Sequence, residues 1–443
     1  MIAVKSLLPV QVRTYPGGLL LLVCFLAQSA LSAPSPVLAA SRTPVRDWIA
    51  LAVENACANP DRPGFDIQNA LPGSWLLEEL RQPSPENPAR VTTRFALPGG
   101  DELVLESRLA NGVLRQFRAS VAVQTGQALK PRFLAIADGS CTVRSAREIR
   151  DGDDPWIFLD QLDGDLQTLR WTETLQAPWP QGQDPGGVRI GLVDSGLAYD
   201  LPLFQDRLAR DPDDVPLGYD FWDLDPFPYD GDTSRGAFLP IRHGTAVASI
   251  IAREAPGAAL VPYRYPRPDM SRMEKLVKHA LKNDIKILAM PLGSRKPADW
   301  EAFAAALKDQ DILAIVSAGN DGRDIDADPV YPAGLDLDNI LTVTSADAFG
   351  RLARGSNWGV KSVDVMLPAE NMDVIDFRGA SGVASGSSYA VPRLAALAAR
   401  LLAKEPDLTA LQLKARILER AVPSPFQKDR LVSSGWIPDP EAD

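Results

Sequence analysis

The chain is poor in the residues that much protein chemistry depends on. Its 443 residues include two histidines and three cysteines. Neither Cys57 nor Cys141 has a histidine nearby in sequence, so a zinc site of mixed Cys and His ligands has no support. Basic residues are outnumbered by acidic ones, 46 against 57, which gives a net charge of −11. Nucleic acid and anionic membrane surfaces attract basic patches, so neither is the expected partner. The pattern G-x-S-x-G is missing, which excludes the α/β-hydrolase way of presenting a serine nucleophile. No internal repeat or long low-complexity tract is present.

A long apolar run occurs near the start, in GLLLLVCFLA from Gly18 to Ala27. Lys5 and Arg13 precede it and the small residues of AQSALSA follow, which is the order of an export signal. Cleavage fits after Ser32 or after Ala39. The run is short for a membrane span, and an uncleaved anchor is the alternative. Export would leave the mature chain in a periplasm or outside the cell. Loss of residues 1–40 leaves 44 basic against 57 acidic residues. Cys24 leaves with the signal, and Val23 is bulky where a lipoprotein box needs a small residue. Cys57 and Cys141 then form an even pair in an oxidising compartment, which suggests a disulfide. Two buried free thiols are the alternative.

The rest of the chain changes character once. Residues 41–175 read as a smaller α+β or β-rich domain. Helices are expected at Val45–Ala56 and Gly73–Arg81. Alternating runs at Arg90–Leu97, Glu102–Leu109, Val113–Val123, Arg132–Ala137 and Cys141–Ile149 predict antiparallel hairpins, with one more over Ile157–Leu175. No constellation of catalytic residue types occurs there. Residues 176–187 (QAPWPQGQDPGG) are rich in Pro, Gly and Gln and mark a linker. Residues 188–443 alternate strand and helix, which predicts an α/β fold: a doubly wound, mostly parallel sheet with helices on both faces. Expected strands are Val188–Val193, Ala259–Tyr263, Ile285–Met290, Ile312–Ser317, Ile340–Ser345 and Ser362–Leu367. The helix at Ser271–Asn283 shows a capping-box pattern, Ser271 with Glu274.

Chemistry in such sheets gathers at the carboxyl ends of the strands. Asp194 follows the strand VRIGLV. Asn320 follows ILAIVS. His243 opens a helix in RHGTAVASIIA, whereas His279 falls on the polar flank of its helix and reads as solvated. Ser387 and Ser388 stand where a Gly- and Ser-rich turn, GASGVASGSS, runs into the helix AVPRLAALAARLLA. Each alone has an ordinary reading as a turn or cap residue. Together they supply a nucleophile, an imidazole base, a carboxylate to orient the base and a donor for an oxyanion. Their order is Asp, His, Ser, which is the subtilisin order.

On these motifs the sequence resembles the subtilisin-like serine proteases, or subtilases, of peptidase family S8. VDSG at Asp194, HGTAVAS at His243, SAGN at Asn320 and GSSYAVP at Gly386 match the family's Asp, His, oxyanion-Asn and Ser motifs. The last match selects Ser388 over Ser387 as nucleophile. The likeness covers roughly Gly187–Ala421. It implies a subtilisin-like fold and a serine endopeptidase with the triad Asp194, His243 and Ser388, which the leader pattern makes an exported one. It also implies an Asn320 oxyanion hole and substrate pairing along Met290, Pro291, Leu292 and Gly293. Ser387, Tyr389, Ala246, Ala289 and Pro291 depart from the family's usual residues. None removes a catalytic group, and Pro291 removes an N–H from the pairing segment.

Protein or peptide substrates are the implied partners, with no nucleic acid, and the chain is expected to be a monomer that requires no cofactor. Structural calcium is considered in the acidic loop Tyr219–Gly236, through Asp223, Asp225, Asp230 and Asp232. By the same resemblance residues 41–175 occupy the place of a prodomain that acts as intramolecular inhibitor and chaperone. A retained regulatory or binding domain is the alternative. A catalytically inactive binding protein and a non-proteolytic acyl hydrolase are the competing functions.

Overall fold

The computed structural model describes residues 44–442 apart from 60, 61, 63, 84–87 and 427–429. The export-signal reading lies outside the described residues.

The N-terminal part opens with helix α1 (Pro44–Ala58) and a single turn, α2 (Ile67–Ala70). Eight strands follow: β1 (Trp75–Gln82), β2 (Arg90–Ala96), β3 (Glu102–Ala110), β4 (Val113–Thr125), β5 (Ala128–Asp138), β6 (Val143–Asp151), β7 (Ile157–Leu162) and β8 (Leu169–Gln176). They form one antiparallel sheet in sequence order, each strand paired with the next. Period-2 burial explains the pairing: in β3 Leu103, Leu105 and Leu109 face inward while their neighbours face out. α1 covers the inner face with Val45, Ile49, Ala52, Val53 and Ala56, which recur at helical spacing. A disulfide joins Cys57 at the end of α1 to Cys141 in the β5–β6 turn, with Cα atoms 5.6 Å apart.

The helix expected over Gly73–Arg81 is instead β1. Its segment WLLEEL has a helix-like composition, but it pairs with β2 from Trp75↔Ala96 to Gln82↔Arg90. Glu78 meets Arg94 across the pair at 3.2 Å. The bonds of a free sheet edge decide the state where local propensity is weak.

After residues 177–187, which carry no helix or strand, β9 (Arg189–Asp194) begins a second sheet. Its other members are β10 (Tyr219–Asp220), β11 (Ala259–Arg264), β12 (Ile287–Met290), β13 (Leu313–Ser317), β14 (Ile340–Ala346) and β15 (Val365–Pro368). A short hairpin, β16 (Met372–Ile375) with β17 (Ser381–Ala384), stands apart, and β18 (Gly435–Trp436) closes the sheet. The order is β10-β11-β9-β12-β13-β14-β15-β18, all parallel. Helices α3 (Gly244–Glu254), α6 (Ser387–Lys404) and α7 (Ala410–Leu418) cover one face; α4 (Met273–Lys282) and α5 (Glu301–Leu307) cover the other. Alternate residues of one strand enter opposite cores: Leu313 and Ile315 one, Ala314 and Val316 the other.

Two local expectations change. Asp269, not Ser271, caps the turn before α4, accepting from the Ser271 N–H at 3.2 Å. His279 is not solvated but half-buried: Tyr263 Oη lies 2.8 Å from its Nδ1, and Tyr219 and Phe221 pack around it. Burial, then Lys282, lowers its pKa below 6.5.

Candidate active site

In the second sheet β9, β12 and β13 are neighbours, and parallel register puts their C-terminal ends along one edge. Asp194 is the last residue of β9, Pro291 follows β12, and Asn320 lies three residues beyond β13. Helices that return over the sheet begin at the same edge. His243 is the residue that caps α3, and Ser388 lies in the first turn of α6. The topology therefore collects five distant segments without any direct sequence relation between them.

Asp194 is buried, with both carboxylate oxygens on His243 Nδ1, at 2.9 and 2.8 Å. The same carboxylate accepts from the Ser195 N–H at 2.6 Å. Burial alone would lower the His243 pKa. Attraction and hydrogen bonding to Asp194, helped by Asp230, outweigh it and raise the pKa above 6.5. With Nδ1 engaged, Nε2 is the ring nitrogen left for proton transfer.

A second carboxylate holds the frame of the first. Asp230 is fully buried and accepts from Ser195 Oγ at 2.6 Å, Thr245 Oγ1 at 2.6 Å and the Thr245 N–H at 3.0 Å. It also accepts from the His243 N–H at 3.3 Å. Ser195 Oγ in turn receives the Gly244 N–H at 2.9 Å. The start of α3 is thus tied to the end of β9 through Ser195 and Asp230. The approach is close enough that a Cβ on Gly244 would lie 2.0 Å from the Gly196 carbonyl oxygen.

The two adjacent serines point different ways. Ser387 is fully buried; its Oγ is 2.7 Å from Ser317 Oγ, and its N–H and Oγ lie 2.9 and 3.0 Å from Asn320 Oδ1. Those bonds occupy the carbonyl end of the exposed Asn320 side chain and leave its amide donor for a ligand. Gly386, at φ 128°, leads into this turn, and a Cβ there would sit 3.0 Å from Asn320 Oδ1. Ser388 is half-buried, and its Oγ donates to the Pro291 carbonyl at 3.4 Å.

Two cavities flank the segment Pro291–Ser294. One of about 270 Å³ reaches Asp194 and His243 and is walled by Ile241, Tyr265, Met270 and Trp300. The other, of about 200 Å³, holds Ser388, Asn320, Ser317 and Val330. Pro291, Leu292 and Gly293 line both, whereas Met290 is buried in the core beneath and lines neither.

The four carboxylates considered for calcium are dispersed. Asp223 and Asp220 hold Arg264, Asp232 accepts from Tyr265 Oη at 2.6 Å, and Asp230 belongs to the His243 network. Asp225 accepts from the Phe227 N–H at 2.8 Å, and burial pushes its pKa up to about 6. Among the described residues no group of three or more His, Cys, Asp or Glu is placed to hold a metal ion. Sequence reasoning missed the positions of Asp230, Ser195 and Ser317 in the site. The signals available were that Ser195 and Ser317 lie inside the VDSG and SAGN motifs and that Asp230 lies between the Asp194 and His243 motifs.

Asp194, His243 and Ser388 all stand at the carboxyl edge of a parallel sheet covered by helices on both faces, which is an α/β architecture. The chain belongs to the Subtilase family, Peptidase_S8, whose profile matches residues 186–436. It is 25% identical to the thermophilic serine proteinase of Bacillus sp. (strain AK1), over 50% of this chain and 54% of the relative. It is 27% identical to the subtilisin-like protease PopC of Myxococcus xanthus, over 59% of this chain and 61% of that one. The chain therefore spans little more than half the length of these relatives. A crystal structure of a cold adapted subtilisin-like serine proteinase is 25% identical, covers 58% of this chain and 89% of its own, and superposes with a TM-score of 0.48.

Proposed function

We propose that this chain is an exported serine endopeptidase that hydrolyses peptide bonds of protein or peptide substrates. One observation carries the reading: Asp194 engages Nδ1 of His243, and the bonded carbonyl of Asn320 leaves its amide donor in the cavity that holds Ser388. Export is supported by the leader pattern of residues 1–40 and by the Cys57–Cys141 disulfide, which suits an oxidising compartment.

In the reaction Ser388 Oγ turns from the Pro291 carbonyl toward His243 and gives its proton to Nε2 as it attacks the scissile carbonyl. Asp194 holds the tautomer and stabilises the imidazolium that forms. The Asn320 amide and the Ser388 N–H at the start of α6 receive the oxyanion. The tetrahedral intermediate collapses as His243 returns the proton to the leaving amine. Water then hydrolyses the acyl-enzyme by the same steps in reverse. Pro291 has no N–H, so substrate meets only an acceptor there.

The test is turnover of an unfolded protein substrate and of a peptide ester by the purified protein. The reading predicts hydrolysis of both, with an initial burst on the ester. Ser388→Ala should lower kcat by about 10⁶, the scale set by subtilisin. Cleavage of the ester alone would favour an acyl hydrolase, and no turnover by folded protein a binding role.

A further inference from the structure

Contacts between the two sheets converge on the residues just before His243. Asp232 and Ile241 exchange backbone hydrogen bonds at 2.9 and 2.8 Å and so close a loop between Asp230 and His243. At its tip Phe238 is buried against Leu134 of β5 and Leu159 of β7, with Ile136, Ile149 and Leu175 around it. Arg147 of β6 donates to the Phe238 carbonyl at 2.6 Å. At the base of the loop Arg242 donates to the Thr174 carbonyl of β8 at 3.2 Å and stacks on Phe377 at 4.6 Å. Arg378, in the β16–β17 turn, pairs with Glu173 of β8. The next residue after Arg242 is the candidate catalytic base.

The described N-terminal residues do not enter the cleft. The cavities at His243 and at Ser388 are lined only by residues 194–388. The junction is fastened elsewhere. The Ala177 carbonyl accepts from Tyr199 Oη at 2.6 Å, Trp179 packs on Tyr199 at 4.2 Å, and the Pro180 carbonyl accepts from Arg210 at 2.9 Å. Gln183 donates its N–H to Asp206 at 2.9 Å. These bonds lead the chain to Arg189, the end of β9 opposite Asp194, about 17 Å away at strand rise. A segment cut by the serine of the same molecule has to lie extended beside Ser388, and no described junction residue lines the cavity that holds Ser388.

We propose that residues 44–176 form a retained domain that clamps the 232–241 loop and thereby positions His243, and that they are not a segment removed on maturation. Phe238 and Arg147 are the positioning residues of this clamp. The inference rests on the serine-protease reading.

The test uses the full chain. Wild type, Ser388→Ala, Phe238→Ala, Phe238→Leu and Arg147→Ala are purified, and each mature chain is sized by mass spectrometry. Labelling by a fluorophosphonate and the pH dependence of kcat are measured on the same samples. The expected result is a labelled wild type that still contains residues 44–176, as Ser388→Ala does. Phe238→Ala and Arg147→Ala should each lose about 10- to 100-fold in kcat with KM little changed. The acid limb of their kcat profiles should move, and Phe238→Leu should recover most of the loss. The proposal is overturned if the labelled wild type lacks residues 44–176 while Ser388→Ala keeps them. Folded Phe238→Ala and Arg147→Ala with wild-type kcat and pH profiles would overturn it equally. A wild type that takes no label defeats the serine-protease reading instead, and the clamp falls with it.

Discussion

Strand β3 buries every second side chain, whereas β11 buries all six. The first pattern belongs to a sheet covered by a helix on one face, the second to a sheet covered on both. The difference reaches function through topology. In the antiparallel meander, successive strand ends alternate between two edges, so loops from neighbouring strands are separated. In the parallel sheet every strand ends at one edge, and the returning helices begin there. Asp194, Pro291, Asn320, His243 and Ser388 meet because of that rule. The meander has no such meeting point, and its contribution is a surface that grips a loop of its neighbour.

The contrast can be broken at the parallel edge first. Asp194→Asn should lower kcat by about 10⁴, since the imidazole loses its orienting carboxylate. The proposed base, His243, can take a proton only when neutral, so activity should be present above its raised pKa and lost as pH falls through it. Removing the Asp194 charge removes the main cause of that rise. The residual activity of Asp194→Asn should therefore persist to lower pH than that of wild type, read from kcat/KM profiles of both.

A smaller loss is expected at the donor. Asn320→Ala should reduce kcat by about 10²–10³ while KM changes little, because the amide acts on the oxyanion and not on bound substrate. Subtilisin sets that scale, and steady-state kinetics on one peptide decide it. A change confined to KM would place Asn320 in substrate binding instead.

The weakest effect on catalysis should come from the other sheet's staple. Cys57→Ser with Cys141→Ser opens a link between residues 84 apart in sequence and should cost about 2–4 kcal/mol of N-terminal domain stability. Denaturant unfolding followed by tryptophan fluorescence and by activity measures it. The parallel-sheet site should keep its rate under native conditions.

Much of the second sheet was legible because fully buried strands and amphipathic helices leave strong periodic signals, as in Ile340–Ala346 and α4. β18 escaped because a two-residue strand has no period to read. β1 escaped because its state depends on β2 and not on its own residues. At the site, the sequence marked the residue types that could act but not those that hold them. Ser195 and Ser317 look like turn residues, and Asp230 looks like one more carboxylate in an acidic loop. Their roles exist only once β9, β13, α3 and α6 share an edge.

The most direct measurement is covalent labelling of the folded protein by a fluorophosphonate, with the modified peptide identified by mass spectrometry. Wild type and Ser387→Ala should take the label on Ser388, Ser387→Ala more slowly because Asn320 loses a hydroxyl partner. Ser388→Ala should take none. Label on Ser387, or a folded wild type that takes no label, would contradict the account.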